Sequence, residues 1–340
     1  MMQLTLQSPY DMHLHLRDTP MLEAVAKYTA RYFSGALVMP NLNPPVDCLD
    51  LALAYKERIL KACGDSTFTP LMSLYLTEKL DRAQLKMAKE AGIQFIKLYP
   101  KGATTGSESG VSAILAPKVL EVLEVAQDLG VILSIHGESN GFVMEREAEF
   151  HSIFAELATT FPRLKIIFEH LSDHRSIALV EKYDNLFATL TLHHITLSLD
   201  DVIGGALNPH CFCKPILKTP KDRDALLQVA LSAHSKFSFG SDSAPHLQAN
   251  KECAKGAAGI FSAPLLLPAL AEIFEAHHCL ENLESFVAHN AQRIYHLPKT
   301  DKIVRLTKKS FKVADSIGGD SIRSVVPLFA GRTFSWDYEC

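Results

Sequence analysis

Asp11-Met-His-Leu-His-Leu-Arg17 alternates polar and apolar residues without a break. A period of two is typical of a β-strand, because successive side chains of a strand point to opposite faces. His13 and His15 are then second neighbours on one face, with Cα atoms roughly 6–7 Å apart, and both imidazoles can reach one metal ion. The alternative interpretation is an exposed strand face that carries polar residues. The alternation also predicts a shared apolar face formed by Met12, Leu14 and Leu16.

The rest of the chain alternates between short apolar runs and helical patterns. Further strands are predicted at 35–40, 70–76, 93–99, 131–135, 165–169, 186–192 and 237–241. Helices are predicted at 20–31, 49–62, 81–91, 117–129, 145–160, 176–182, 220–233 and 264–276. The seventh strand differs from the others because it runs into a long loop.

Nearly continuous apolar strands that alternate with helices indicate a parallel sheet. Eight such units over about 270 residues match a (β/α)8 TIM-like barrel. A doubly wound open sheet fits less well, since no G-x-G-x-x-G follows the first strand. We predict a single metal-dependent hydrolase domain over residues 1–340, with the barrel at about 10–280 and a small C-terminal appendage at about 281–340.

Composition excludes several classes of protein. A hydrophobic content of 47% and a charged content of 21% are typical of a globular protein with a large core. The net charge of −4 and the lack of a basic run argue against nucleic acid as a partner. No apolar stretch approaches the ~20 residues that span a bilayer, and no signal peptide is recognisable, so we expect a cytoplasmic protein. The seven cysteines lack paired C-x-x-C units and are expected to be reduced, with Cys211 and Cys213 as small core or loop residues.

The chemistry of such a barrel lies at the C-terminal ends of its strands. The predicted strand ends carry polar residues, in chain order His13 and His15, Asn41, Lys97, His136, His170, His193 and His194, and Asp242. A single histidine at a strand end is more often a hydrogen-bonded packing residue than a ligand. Several imidazoles and a carboxylate at one barrel mouth, however, supply the ligands that suit Zn²⁺.

Lys97 is unusual because it lies within an apolar strand pattern and shares a predicted face with Ile93, Phe95 and Tyr99. One interpretation is a side chain that extends to solvent at the strand end. The other is a buried neutral amine that reacts with carbon dioxide and forms a carbamate able to bridge two cations, since burial lowers a lysine pKa. The spacing of the residues does not decide between the two.

Six motifs together resemble the amidohydrolase superfamily, and in particular dihydroorotases of the compact, single-enzyme bacterial type. Besides the opening stretch, they are Met39-Pro-Asn-Leu-Asn-Pro-Pro45, Lys97-Leu-Tyr-Pro100 with Ala103-Thr-Thr105, Ile135-His-Gly-Glu138, Phe168-Glu-His170 and Gly240-Ser-Asp-Ser-Ala-Pro-His246. The motifs follow the family's order, and the resemblance runs from about residue 10 to the C-terminus.

The resemblance implies a role for each matching position. Two zinc ions per chain would be bound, one by His13, His15 and Asp242 and the other by His136 and His170, with N6-carboxylated Lys97 as the bridge. The substrate carboxylate would contact Arg17, Asn41 and His246, and other substrate contacts would involve His15, His136, Lys214 and Ala258. The family has leucine where this chain has Lys214, so that contact would be through the main chain. Thr104 and Thr105 would lie on a loop that closes over the substrate.

The implied reaction is the reversible hydrolysis of dihydroorotate to N-carbamoyl-aspartate, a step of pyrimidine synthesis, and a homodimer is expected. Asp242 would carry a proton from the attacking water to the departing ring nitrogen. Arg17 offers a bidentate fork that suits a carboxylate. The stretch 101–110 contains three glycines and fits either a lid or a plain surface loop. Two other hypotheses are a different cyclic amidase or deaminase of the superfamily, and a non-catalytic scaffold that has lost ligands.

Overall fold

The computed structural model describes residues 2–64, 67–318 and 324–339. Within them, eight parallel strands pair in chain order, and a bridge between Leu14 and Ser243 connects the two ends of this sheet. Helices lie between successive strands, so the predicted (β/α)8 TIM-like barrel is confirmed. In chain order the strands are β1 (Gln3–Gln7), β2 (Tyr10–Leu14), β3 (Gly35–Val38), β4 (Thr69–Tyr75), β5 (Phe95–Leu98), β6 (Ile132–Ile135), β7 (Ile166–Phe168), β8 (Leu186–Leu190), β9 (Phe237–Phe239), β10 (Ile303–Thr307), β11 (Phe311–Lys312), β12 (Thr333–Phe334) and β13 (Asp337–Tyr338). The barrel consists of β2 to β9.

The helices surround the barrel and continue into the C-terminal part of the chain. They are α1 (Met21–Ala30), α2 (Leu49–Cys63), α3 (Arg82–Glu90), α4 (Pro117–Leu129), α5 (Arg146–Glu149), α6 (His151–Thr160), α7 (Arg175–Lys182), α8 (Leu192–Thr196), α9 (Asp200–Ile203), α10 (Pro220–Leu231), α11 (Gln248–Lys251), α12 (Leu266–Ala276) and α13 (Asn290–Tyr295). Single 3₁₀ turns occur at Pro209–Cys211, Ala263–Leu265 and Leu280–Asn282, and a π-helical turn occurs at Ser285–His289. Of the described helices, none has the length and apolar character needed to cross a membrane.

Helix α4 shows why one predicted helix matches its observed bounds. Pro117 occupies the first helical position, where its fixed φ is favourable and its missing N–H is not needed. Gly130 ends the helix with a φ of +63°, the left-handed conformation that glycine adopts at little cost. Both signals are local, and a sequence therefore reveals them.

The helix predicted at 145–160 is two helices that meet at Phe150, so that prediction is wrong in detail. Glu147 in α5 is fully buried, and its carboxylate accepts hydrogen bonds from the backbone N–H groups of Ser172, at 2.9 Å, and Asp173, at 3.1 Å. These bonds hold α5 against the loop after β7, whereas α6 buries an apolar face of its own. One straight helix would not satisfy both contacts, so the helix breaks at Phe150.

The seventh predicted strand is also too long. Strand β8 ends at Leu190, and Thr191 caps α8 by accepting a hydrogen bond from the backbone N–H of His194. His193 and His194 therefore lie on a short helix and not at a strand end. Threonine at this position favours a helix start because its hydroxyl satisfies an otherwise free backbone donor.

The apolar residues form two clusters, and the strict alternation predicted for the first strand does not hold. Met12 belongs to a smaller cluster with Leu37 and Phe95, whereas Leu14 and Leu16 belong to the larger cluster. Asp11 pairs with Ala36 but Leu14 pairs with Val38, so β2 contains one extra residue relative to β3. Such a bulge reverses the faces of the residues that follow it.

The larger cluster contains the two cysteines expected in the core. Cys211 and Cys213 are buried free thiols there, as predicted. Cys340 lies outside the described residues.

The outer sheet contains a strand that the sequence patterns did not predict. Strand β1 pairs antiparallel with β10, Gln3 opposite Thr307, and β10 also pairs with β13. The C-terminal part of the chain thus packs together with residues 3–7. Trp336, near β13, is fully buried and anchors this part of the molecule to the core.

Candidate metal centre

Three side chains from the first and last strands of the barrel, β2 and β9, and the residues that follow them lie close together. His13 lies in β2 and His15 just after it, and their Nε2 atoms are 3.3 Å apart. Asp242 follows β9, and its Oδ1 atom lies 3.1 Å from Nε2 of His15 and 3.5 Å from Nε2 of His13. All three residues are buried. Two imidazoles and a carboxylate at this spacing can hold a metal ion.

A second pair of histidines lies beside the first. His136 directly follows β6 and His170 follows β7, and the Nδ1 atom of His136 is 3.2 Å from the Nε2 atom of His170. The His170 ring centre is 4.9 Å from that of His13. The structure thus brings four predicted histidines and Asp242 together at one end of the barrel.

Two buried glutamates orient these rings. Oε2 of Glu169 lies 2.9 Å from Nδ1 of His13, and Oε2 of Glu138 lies 2.7 Å from Nε2 of His136. An ionised carboxylate only accepts hydrogen bonds, so these ring nitrogens carry the protons. The lone pairs of the other two nitrogens, Nε2 of His13 and Nδ1 of His136, therefore face the pocket, which is the arrangement that metal ligation requires.

Glu138 and Glu169 belong to the sequence motifs, but the sequence predicted no role for either of them. Burial raises the pKa of Glu169, but the charge of Lys97 and the hydrogen bonds from His13 and Thr189 outweigh this and bring the pKa to about 2. Hydrogen bonding to His136 likewise outweighs burial at Glu138, whose pKa is lowered. Their role could have been predicted from their closeness in the chain to predicted ligands, since a carboxylate often accepts a hydrogen bond from a histidine that binds metal.

His13, His15 and His170 are neutral. Burial lowers the pKa of His13, and it lowers the pKa values of His15 and His170 well below the usual range. Neutral imidazoles have the free lone pair that a metal ion needs. His170 Nδ1 is buried and has no hydrogen-bond partner among the described residues.

Lys97 is fully buried in β5, so its side chain does not extend to solvent. Its Nζ atom has no hydrogen-bond partner within the described part of the chain, and it lies 5.1 Å from the centre of the Tyr99 ring. Burial lowers the pKa of Lys97 to about 8. A buried amine without a partner is costly in free energy. A partner for this amine is therefore missing among the described residues.

The two ends of the barrel sheet are joined beneath the centre. The Asp11 carboxylate accepts hydrogen bonds from the backbone N–H of Ser241 at 2.7 Å and from its hydroxyl at 2.6 Å. The backbone N–H of Asp242 donates to the carbonyl of His13 at 2.8 Å. Asp242 and His170 both have a φ of +43°, a left-handed conformation that costs free energy outside glycine. The surrounding structure thus imposes the positions of these two side chains.

Arg17 and His246 lie together at the edge of the pocket. Nη2 of Arg17 is 3.0 Å from Nε2 of His246, and Nε of Arg17 donates to the Pro245 carbonyl at 3.2 Å. The same His246 nitrogen is 2.9 Å from the carbonyl oxygen of Ala258. A ring nitrogen either donates or accepts, so only one of its two contacts is a hydrogen bond at a time. Burial lowers the pKa of His246 to about 3, which leaves the ring neutral.

The loop at 101–110 lies against the pocket. Asn41 Nδ2 donates to the Thr105 carbonyl at 2.9 Å, and Thr105 Oγ1 donates to the Ala258 carbonyl at 3.3 Å. Lys214 Nζ donates to the Ala103 carbonyl at 3.2 Å. Three separate segments of the chain thus contact this loop through single hydrogen bonds.

Most predicted site residues line one enclosed pocket. Its walls are His13, His15, Arg17, Asn41, Tyr99, Thr104, Thr105, His136, His170, Lys214, Asp242, Ala244, Ala258 and Gly259. His246 lies in an adjoining pocket that shares Arg17 and Asn41 with the first. Gly259 has a φ of +148°, and a Cβ atom there would lie 2.6 Å from the Ala244 carbonyl oxygen, so only glycine fits beside Ala258.

A larger cavity of about 620 Å³ lies elsewhere, between α1 and the C-terminal strands. In the described part of the chain, none of the predicted site residues lines this cavity. Volume alone therefore does not locate the chemistry of this molecule.

Comparisons with known proteins agree with the motifs. The amidohydrolase family model matches residues 9–294. A dihydroorotase from Helicobacter hepaticus is 56% identical over 98% of this chain and 97% of its own length. A crystal structure of a dihydroorotase from Campylobacter jejuni has a TM-score of 0.94 at 46% identity and covers 99% of this chain and 98% of its own. A dihydroorotase from Saccharomyces cerevisiae, solved with 5-fluoroorotic acid, also has a TM-score of 0.94, at 32% identity, and covers 100% of this chain and 99% of its own.

Proposed function

This chain belongs to the amidohydrolase family and, within it, to the dihydroorotases, and we propose that its pocket hydrolyses dihydroorotate reversibly to N-carbamoyl-aspartate. The reaction opens a cyclic amide and belongs to pyrimidine synthesis. The Saccharomyces cerevisiae relative was solved with a pyrimidine ring acid, which supports a substrate of the same class here.

The observation that carries the proposal is the convergence of ring nitrogens. Ring nitrogens of His13 and His15 lie 3.3 Å apart, those of His136 and His170 lie 3.2 Å apart, and glutamates direct a lone pair of His13 and of His136 into the pocket. We infer that His13, His15 and Asp242 hold one Zn²⁺ and that His136 and His170 hold another. Zn²⁺ in such a centre polarises a carbonyl oxygen and lowers the pKa of water.

We infer that Lys97 completes this centre as a carbamate. The buried Nζ atom attacks carbon dioxide, an N–C bond forms, and a proton leaves for solvent. Burial lowers the pKa of the amine to about 8, so a fraction is unprotonated and reactive near neutral pH. The product would be an anion whose oxygens could bind metal, and it would replace a buried amine that lacks a partner among the described residues.

Asp242 is the proton carrier in this proposal. Its Oδ1 atom faces His13 and His15, which leaves Oδ2 to accept a proton from the attacking water. The same oxygen then delivers the proton to the ring nitrogen that departs from the amide carbon. Burial raises the pKa of Asp242, which makes the carboxylate a better base than an exposed aspartate.

The edge of the pocket supplies the grip on the substrate carboxylate. Arg17, Asn41 and His246 are neighbours there, and the guanidinium can donate two parallel hydrogen bonds. The ring would contact His15, His136, Ala258 and the main chain of Lys214. Thr104 and Thr105 would close over it, since their loop is joined to the pocket by single hydrogen bonds.

The test is turnover of purified protein of known zinc content, measured by the ring absorbance of dihydroorotate. Dihydrouracil, which has the same ring without the carboxylate, is the control substrate. We expect turnover of dihydroorotate and little of dihydrouracil. Equal turnover of both would indicate a general cyclic amidase. Absence of turnover with two zinc ions bound would indicate a non-catalytic relative.

A homodimeric assembly and a cytoplasmic location stay predictions. Sedimentation of the purified protein checks the first, and fractionation of cells checks the second.

A further inference from the structure

His193, His194 and Cys213 form a separate cluster of potential metal ligands. One ligand atom from each lies within 4.8 Å of the others. The three residues are buried, with exposed fractions of 0%, 2% and 1%, and they are not among the wall residues of the pocket described above. From this geometry we propose that the cluster binds a further metal ion of the zinc class.

His193 gives the strongest support. Both of its ring nitrogens are buried, and neither has a hydrogen-bond partner among the described residues. Buried polar atoms are nearly always satisfied, because an unsatisfied one costs folding free energy. Coordination of an ion by one of these nitrogens would satisfy that nitrogen and so remove part of this cost.

His194 and Cys213 already face a common oxygen. Nε2 of His194 and Sγ of Cys213 each lie 3.1 Å from the carbonyl oxygen of Pro215, and without an ion both donate to it. Nδ1 of His194 lies 2.9 Å from Oγ1 of Thr191. When Nε2 binds an ion, the His194 proton moves to Nδ1 and is donated to Thr191. The histidine thus gains a lone pair for the ion and keeps a hydrogen-bond partner.

Cys213 supplies the anionic ligand. Burial raises the pKa of its thiol well above the usual value, so the sulfur is protonated when no ion is bound. On binding, the S–H bond breaks, a sulfur–metal bond forms and the proton goes to solvent. Two imidazoles and one thiolate suit Zn²⁺, with the Pro215 carbonyl oxygen or a water as the fourth ligand.

The charges around the cluster offset one another. The positive charge of Lys251 acts on His193 and Cys213, and that of Lys218 acts on His194, and both charges would repel a cation. The negative charges of Asp242 and Glu138 act on His194 and would attract a cation. The surroundings therefore carry both signs, and the thiolate lowers the net charge of the bound ion.

An ion at this cluster would fix a loop next to the pocket. Helix α8 carries both histidines, whereas Cys213 directly precedes Lys214, whose ammonium group contacts the Ala103 carbonyl. The ion would connect these two segments, which are 20 positions apart (213 − 193) in the chain. Its role is thus structural and separate from the proton transfer at Asp242.

The test uses cobalt as a spectroscopic probe in the full-length protein. The purified chain is stripped of metal and reloaded with Co²⁺, and the near-ultraviolet thiolate-to-cobalt charge-transfer band is recorded with the Co²⁺ stoichiometry. The centre of His13, His15, His136, His170 and Asp242 contains no sulfur, so it does not produce this band. We expect the band in the wild type, and we expect Cys213→Ser and His193→Gln each to lose it together with one equivalent of Co²⁺.

The matched control is Cys211→Ser, which changes a buried cysteine two positions away and should keep the band. Circular dichroism and Tm show which variants are folded, and His193→Gln still decides if Cys213→Ser does not fold. Absence of the band in Co²⁺-saturated wild type, or its persistence in folded Cys213→Ser, would overturn the proposal. Lys97→Ala separates the two centres, because the band should remain there whether or not dihydroorotate is turned over.

Discussion

The floor of the pocket and its rim are held in place by different kinds of contact. The floor consists of the buried residues that we propose as ligands, His13, His15, Lys97, His136, His170 and Asp242. The rim consists of Arg17, Asn41, Thr105, Lys214 and His246. In the floor, buried carboxylates orient the rings of His13 and His136. In the rim, side chains donate to main-chain carbonyls.

This difference indicates when each part is organised. A ring fixed by a buried glutamate has its final orientation before a ligand arrives, and such preorganisation is what catalysis requires. A donor bonded to a main-chain carbonyl can exchange that acceptor for a substrate carboxylate at little cost. The floor should therefore respond to mutation through turnover and metal content, and the rim through substrate affinity.

The largest effect is expected in the floor, at Asp242. Asp242→Asn keeps the shape of the side chain but cannot accept the proton, so we expect turnover to fall by about 10²–10⁴-fold. Stopped assays on folded, metal-analysed protein measure it. Near-normal turnover would exclude Asp242 as the proton carrier.

Lys97→Ala should remove the bridge between the two ions. The site of His136 and His170 has the fewest other ligands and should empty first, and turnover should fall with it. Metal analysis and turnover with and without added acetate or propionate measure this, since a small carboxylate can fill the gap and restore part of the activity. Lys218→Ala is the matched control, because Lys218 is also a buried lysine whose Nζ lacks a hydrogen-bond partner in the part of the chain described. Two zinc ions and unchanged turnover in Lys97→Ala would rule out the carbamate.

Glu169→Gln tests whether the floor depends on its orienting carboxylates. The amide can donate to Nδ1 of His13 and so favour the wrong tautomer, and we expect metal affinity to fall about 10–100-fold. Competition with a chelator measures the affinity. Glu147→Gln is the control, since Glu147 is an equally buried glutamate that contacts Ser172 and Ser176 outside the pocket. A similar loss of affinity in both variants would mean that loss of any buried carboxyl group, and not of the His13 contact in particular, weakens binding of the ion.

Arg17→Lys changes a residue of the rim. A point charge replaces a planar fork, and we expect KM for dihydroorotate to rise about tenfold while zinc content stays the same. Steady-state kinetics and metal analysis of one preparation measure both. Loss of zinc with an unchanged KM would place Arg17 among the residues that support the floor.

The smallest effect is expected for Lys214→Leu. This change removes one hydrogen bond, from Nζ to the Ala103 carbonyl, and introduces the leucine that the family resemblance implies at this position. We expect a change in KM of about two- to tenfold, with turnover of bound substrate retained. A large loss of turnover would show that the side chain does more than contact the loop.

The floor could be predicted from the sequence because its signals are local. His13, His15, His136, His170 and Asp242 each lie in a predicted strand or directly after one, and the barrel rule places strand ends together. The bulge in β2 was not predictable, since Asp11 to Arg17 alternates without a break in the sequence. Its presence depends on the register between β2 and β3, which is a property of the pair.

The rim and the outer sheet depend on contacts between distant segments. Nothing near Ala258 in the sequence shows that its carbonyl contacts Thr105, and Ala103 does not reveal that Lys214 contacts it. Strand β1 was not predicted for the same reason, although its polar and apolar residues alternate. A single short strand forms only where a partner strand is available. Glu138 and Glu169 were overlooked because a carboxylate near a histidine has many other uses.

The pairing of β1 with β10 has a consequence for how the molecule is made. Gln3 lies opposite Thr307, so about 300 positions separate the two partners. At a synthesis rate of about 5–20 residues per second, β1 leaves the ribosome roughly 15–60 s before its partner exists. During that interval it is a free strand with alternating apolar residues, which is a template for pairing with other chains. The outer sheet must therefore be among the last parts to form, and a newly made chain carries β1 without this partner until residues 303–307 have emerged.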